Sequence, residues 1–393
     1  MNLNSKNQKF EIIKTILLLG SVFYLCIEIL IFSNASVNGA KKGLSFCADI
    51  LIPSLFPFMV LSSFIVKSGL AAKLGVIFNP ITKFLFNLPG SSGSTILISL
   101  IGGYPTGVKG VRELLENNEI TQNQAERMLC FTICAGPPFI LGVIGIGIFK
   151  SFQIGVIILV SQVLASITIG IILGLFSRFN KEEAALNTQR NKKTPPLSEA
   201  FVLSSISSTG QMINLCSFVV LFSSFIEVIN QNGLGEKISS FLMGMGLKGQ
   251  YAKSLLFASL EVTGGCLNAG KLGVSAEFIS FFIAFAGICV HFQLFSTLSG
   301  INFSKFKFIL FRAIHGTLSA LITHFALIMF PVSVGAFSIS GSNIEANFYS
   351  NTAAGISLIL LCIFFLISSF SLSKKQYYQG SLRSKLEYIK NEL

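Results

Sequence analysis

The residues of this chain with the chemistry to act on a small molecule gather around glycine-rich interruptions in apolar stretches. Gly102-Gly-Tyr-Pro-Thr-Gly-Val-Lys109 cannot continue as a helix, because Pro105 lacks an N–H and glycine favours unwound backbone. An unwound turn presents carbonyls and N–H groups, which makes Gly102, Gly103, Tyr104 and Thr106 binding candidates, with Lys109 able to neutralise an anion. Upstream, Gly90-Ser-Ser-Gly-Ser-Thr95 reads as the start of a half-helix. Its free N–H groups and positive dipole end favour an anion, and Ser91, Ser92, Ser94 and Thr95 join the candidates. Thr263-Gly-Gly-Cys-Leu-Asn268 is the counterpart, offering Thr263, Gly264, Gly265 and Asn268, with Lys271 as a second cation. Glu261, just before that break, is the candidate for a coupling cation or proton, since an ionisable group inside an apolar segment is expensive unless it works. The competing readings are close helix packing through the small residues and lysines that snorkel to an interface. Ala135-Gly-Pro-Pro-Phe139 is a third break, with a simple kink as its alternative.

Other chemistry is not encoded recognisably. The chain has no paired carboxylates at catalytic spacing, no GxSxG, no HExxH and no Walker loop, so the expectation is that it is not an enzyme and uses no cofactor. Its eight cysteines form no CxxC pair, and His291, His315 and His324 lack metal-ligand spacing with them. The formal charge of +12 comes from Lys and Arg gathered at the chain ends and in one central linker, bordering apolar runs. That is a membrane-topology signal rather than a nucleic-acid footprint.

These groups must therefore be positioned by helices in a bilayer. Of 393 residues, 52% are hydrophobic and 12% charged, and the mean hydropathy is +0.72. Runs long enough to cross lie near 12–32, 50–67, 129–149, 154–176, 209–229, 276–297, 306–330 and 354–373, a crossing needing ~20 apolar residues. The first is read as an uncleaved span, too long for a signal core. Two shorter stretches, Ser94–Gly107 and Leu255–Gly270, are broken by glycine. If both turn back, the N-terminus, segment 109–127, the central linker, Lys305, Lys307 and the basic tail share one face. The loop 331–352, free of Lys and Arg, then lies on the other face, and only Lys41, Lys42, Lys237 and Lys248 depart from the positive-inside rule. The expectation is an all-α polytopic membrane protein: about eight transmembrane helices plus two re-entrant hairpins, with both termini cytoplasmic.

The two halves resemble each other. Val60-Leu-Ser-Ser-Phe-Ile65 matches Leu221-Phe-Ser-Ser-Phe-Ile226, each followed by a Gly-Leu pair at 69–70 and 233–234. Ser99-Leu-Ile-Gly-Gly103 then parallels Ser259-Leu-Glu-Val-Thr-Gly-Gly265, pairing Gly102 with Gly264 and Lys109 with Lys271. Cys134-Ala-Gly136 parallels Phe285-Ala-Gly287, and the second half lacks most of the polar insert Glu113–Arg127. With the topology above the repeats are inverted, an arrangement in which broken helices meet around a solute near the bilayer midplane. The organisation is an N-terminal helix (1–36), a first repeat (37–177), a basic linker (178–200) and a second repeat (201–330). An external loop (331–352), a C-terminal helix (353–373) and a basic tail (374–393) follow.

Ile101-Gly-Gly-Tyr-Pro-Thr-Gly-Val-Lys-Gly110, Asn123-Gln-Ala-Glu-Arg-Met-Leu-Cys130 and Cys134-Ala-Gly-Pro-Pro-Phe-Ile-Leu-Gly142 resemble the YlbJ family of sporulation integral membrane proteins, over roughly residues 12–375. That family carries the nucleoside-recognition Gate domain and is similar to concentrative nucleoside transporters, which have inverted repeats and two helical hairpins. The resemblance implies a secondary transporter moving dipicolinic acid, a small planar dianion, across the outer forespore membrane. The partners it implies are that solute and the lipid bilayer, with a coupling cation or proton and a homo-oligomer left open. A nucleoside or nucleobase carrier of related fold and a non-transporting sporulation scaffold acting through the tail Lys374–Leu393 are the alternatives, with a lipid-processing enzyme last.

Overall fold

The computed structural model describes residues 3–179 and 195–332. Most of the basic linker, the external loop beyond Val332, the expected crossing at 354–373 and the basic tail lie outside the described residues. Among the described residues every regular element is helical. Five helices among the described residues are long and apolar enough to cross a membrane, or six if one bent pair counts as a single span. Their outward faces carry large apolar side chains, such as Leu30 at 75% and Phe176 at 63% exposure, which water would penalise and lipid tails would not.

The first repeat opens after α1 (Leu3–Ile31) with α2 (Ser33–Phe46) and α3 (Ile52–Lys67), joined through a π-helical turn at Cys47–Leu51 into one 35-residue helix. The expected span at 50–67 is thus the second half of a longer rod. Pro53 and Pro57 each lack an N–H, and the π turn sits just before them, where the helical ladder must give way. Gly69, left-handed at φ 78°, ends the rod and starts α4 (Leu70–Ile81). After a π turn at Thr82–Phe86 the chain bends by 89° into α5 (Ser91–Gly102), and α6 (Tyr104–Glu116) follows after Gly103 alone. The insert 113–127 forms the end of α6, a turn, and the start of α7 (Gln122–Phe131), which a Thr121/Gln124 capping box begins. Beyond α7 the backbone unwinds through Gly136-Pro-Pro, continues as a π-helix at Phe139–Ile148, and enters α8 (Phe152–Phe179). The expected continuous span 129–149 is therefore two short pieces around a break, because Pro137 and Pro138 supply no N–H to bridge it.

The second repeat reproduces this order. The long α9 (Leu197–Gln231) ends at Gly233, left-handed at φ 74°, followed by α10 (Leu234–Gly244). Then come α11 (Gly249–Leu260) and α12 (Val262–Lys271), joined by Glu261 alone. The segment 276–297 is α13 (Ala276–Phe285) and α14 (Gly287–Thr297), interrupted where Ala286 and Gly287 take positive φ. Finally α15 (Lys305–Met329) takes the place of α8.

Packing shows how the halves are related. A Cβ on Gly39 would lie 2.7 Å from Ser224 Cα, and one on Gly43 2.9 Å from Val220 Cα, so α2 lies backbone to backbone on α9. Farther along, Cys47 meets the Cys216 carbonyl at 3.9 Å and the Phe64 and Phe201 rings meet at 5.9 Å. As numbers rise on one helix they fall on the other. The equivalent long helices of the two repeats run antiparallel, as an inverted pair must.

Candidate functional site

Two helical hairpins and a broken helix converge on one cavity. In the first hairpin, Cβ atoms built on Gly102, Gly107 and Gly110 would strike Thr106, Ser99 and Thr95 in turn, so α5 and α6 fold back on each other with Gly103 as the tip. Twelve residues reach only about 18 Å, well short of a ~30 Å hydrocarbon core. Gly103 has φ 83° and ψ −177°, a conformation only glycine adopts without strain. In the second hairpin, Gly265 on α12 packs on the backbone of Ala258 on α11. Its tip is Glu261, in extended conformation.

Both tips press on the breaks of their own repeat. A Cβ on Gly103 would stand 3.3 Å from the Gly136 nitrogen, and one on Gly287 would stand 3.2 Å from Ala258 O and Val262 N. In front of the tips lies a small cavity of about 60 Å³ that opens to the surroundings. The Gly102–Gly103 turn, Tyr104, Glu261, Thr263 and Gln293 supply its polar side. Its apolar wall is Leu55, Phe58 and Met59 from α3 with Leu215 and Val219 from α9. The lining, mostly apolar with a few convergent polar groups, is of the kind that small-molecule sites have.

Glu261 is 1% exposed, and its two carboxylate oxygens accept from Thr263 N at 2.8 Å and Gly264 N at 2.6 Å. It thereby caps the helix it precedes, an arrangement the positive end of α12 favours. The α12 N-terminus, expected from sequence to receive an anion, is already held by this side chain. Tyr104 spends its hydroxyl on the Ile283 carbonyl at 2.5 Å and lines the cavity.

The structure sorts the expected binding residues. Gly102, Gly103, Tyr104, Thr263 and Glu261 line the cavity. Thr106 sits just behind the tip, donating to Gly103 O at 2.7 Å, and Gly264 and Gly265 serve the Glu261 cap and the hairpin packing. Ser91, Ser92, Ser94 and Thr95 are at the far end of α5, outside the cavity lining, where Ser94 donates to Ser91 O and Thr95 packs under Gly110. Lys109 donates to Ser207 of α9 at 2.5 Å, away from the cavity lining. Asn268 and Lys271 are exposed on the later turns of α12. The pairing of Gly102 with Gly264 also shifts. Measured from the tips, Gly103 corresponds to Glu261 and Gly107 to Gly265.

Sequence reading missed the apolar wall, whose residues look like any lipid-facing stretch. It also missed Gln293, whose one signal was an amide inside an apolar run. Among the described residues no group of three or more His, Cys, Asp or Glu side chains is placed to hold a metal.

Fold and site together define an all-α polytopic membrane protein with two inverted repeats and two facing helical hairpins. No family model matches the chain, and no solved structure does. It is 26% identical over 332 residues, 78% of this chain and 81% of the relative, to the sporulation integral membrane protein YlbJ of Bacillus subtilis (strain 168). It is also 28% identical over 151 residues, 38% of this chain and 41% of the other, to an uncharacterized protein of Methanocaldococcus jannaschii. The first similarity runs over most of both chains and supports a kinship with that protein.

Proposed function

We propose that this chain is a sporulation membrane protein that works as a secondary transporter, carrying dipicolinic acid across the outer forespore membrane with both termini cytoplasmic. The observation that carries the transport reading is the convergence of two hairpin tips and a helix break on one cavity. Unwound backbone is tolerated at membrane depth where protein or a water-filled space satisfies it, and paired breaks in inverted repeats are where carriers hold their solutes. The similarity to a sporulation integral membrane protein supports the biological setting. The solute rests on the family resemblance, and a largely apolar lining with a few polar groups is compatible with an aromatic ring bearing polar substituents.

Charge makes the reading more specific. Glu261 is the cavity's one ionisable carboxylate, and no cation pairs with it among the described residues. A dianion entering beside it meets repulsion, so a proton or cation must travel with the solute. Glu261 is the residue for that coupling ion, and the chain catalyses no covalent step.

The test is the dipicolinate content and heat resistance of spores from a deletion strain, with synthesis in the mother cell confirmed in parallel. Complementation uses the wild type or Glu261→Gln. Dipicolinate that is made but absent from deletion spores, and restored by the wild type alone, is the expected result. Normal dipicolinate in deletion spores would remove the solute assignment.

A further inference from the structure

The ends of the two broken helices pose a satisfaction problem, since each half-helix leaves its last carbonyls without intrahelical partners. At the end of α7, Met128 O accepts from Thr132 N and its hydroxyl, both at 2.8 Å, and Phe131 O accepts from Ser166 Oγ at 2.6 Å. At the end of α13, Phe282 O accepts from Ala286 N at 2.8 Å, and Ile283 O from the Tyr104 hydroxyl. Both ends then share one donor, Arg312 of α15. Its guanidinium donates to Cys130 O at 2.9 Å, to Ile133 O in the first break, and to Ala284 O at 3.4 Å.

Arg312 is 0% exposed, and no carboxylate pairs with it among the described residues. A buried cation without an acidic partner is ordinarily costly. Two half-helix C-termini, each equivalent to about −0.5 charge, together offset one positive charge. The fork of the guanidinium also lets one side chain reach carbonyls on two helices from separate nitrogens, whereas a lysine would have to reach them all from a single one.

We propose that Arg312 is the positioning residue that holds the breaks of both repeats in fixed relation, and through them the two hairpin tips that shape the cavity. Gly136 backs Gly103 and Gly287 backs the Glu261 turn, so a shift at either break moves a tip. Arg312 does not line the cavity and acts through its neighbours. The transport consequence rests on the carrier reading above; the structural one does not.

The experiment uses the full chain in nanodiscs, as wild type, Arg312→Lys, Arg312→Gln and Ser166→Ala. Amide hydrogen exchange is followed at 130–138 and 284–288, and uptake of labelled dipicolinate is measured in proteoliposomes. Both Arg312 variants are expected to speed exchange at the two breaks together while α9 is unchanged, whereas Ser166→Ala opens the first break alone. Half-saturation for dipicolinate is expected to rise about tenfold with the maximal rate within about threefold, the mark of a displaced binding group rather than lost protein. Faster exchange at one break only, or at neither, overturns the proposal, as does an unchanged half-saturation in variants whose wild type transports. Failure of both Arg312 variants to reach the membrane makes Arg312 a folding residue and overturns it as well. If the wild type moves no dipicolinate, the carrier reading falls, and the exchange measurement still decides Arg312.

Discussion

At the residue scale, the cavity turns on a carboxylate that does two things at once. Glu261 satisfies two N–H groups of α12 and places its carboxylate at the cavity. Glu261→Gln keeps the shape and removes the charge. Losing one charge-assisted hydrogen bond, ~1.5–3 kcal/mol, is enough for dipicolinate uptake to fall about tenfold or more. The uptake that remains should no longer respond to an imposed proton or cation gradient. A variant that still responds would take Glu261 out of ion coupling. Lys271 is the contrasting case. It is exposed at the far end of α12, and Lys271→Ala is expected to leave uptake within about twofold, as surface substitutions usually do. A loss comparable to that of Glu261→Gln would mean that the solute path passes over that surface.

At the element scale, the hairpins depend on two glycines for different reasons. Gly103 occupies a backbone region that costs other residues about 1–3 kcal/mol, and its Cβ would also crowd Gly136. Gly107 has ordinary helical backbone, but a Cβ there would collide with the Thr132 carbonyl in the first break. Overpacking of this kind typically costs about 1–3 kcal/mol. Both Gly103→Ala and Gly107→Ala are expected to lower the melting temperature of the detergent-purified protein. Gly210, within α9 with nothing inside 4 Å of its would-be Cβ, serves as the control. Gly210→Ala should leave melting unchanged or raise it, because alanine is favoured by about 0.5–1 kcal/mol in a helix interior. Equal melting for all three would mean the hairpins do not depend on this close packing.

At the scale of the whole molecule, inversion makes a prediction that needs no knowledge of the solute. Lys73 and Lys237 follow the matching left-handed glycines, Gly69 and Gly233, and both are exposed. Single cysteines placed there in a cysteine-free chain should react with an impermeant maleimide from opposite faces, Lys73→Cys from the cytoplasm and Lys237→Cys from outside. Labelling from one face would contradict antiparallel α3 and α9 crossing the same bilayer. The exposed apolar flanks of the long helices are the surface that the bilayer covers.

Membrane residence, helical class and the breaks at Gly103 and Gly136 were legible in the sequence, because they follow from local chemistry, whereas the break at Ala286–Gly287, inside an expected continuous crossing, was not. Apolar runs need lipid, proline removes an N–H, and glycine opens backbone that other residues avoid. The repeat was legible as well, in motifs such as Leu-Ser-Ser-Phe-Ile65 and Phe-Ser-Ser-Phe-Ile226 with their following glycines. Its register at the hairpins was not, because Gly264 and Gly265 look like a tip, while Glu261 with its self-made cap is the tip. Which charged groups line the cavity was likewise decided only in three dimensions. Lys109 reaches sideways to Ser207, and Arg312 turns inward to carbonyls 179 to 182 residues away along the chain on one side and 28 on the other. Direction of that kind depends on how neighbouring helices pack, and spacing along a single helix carries no record of it.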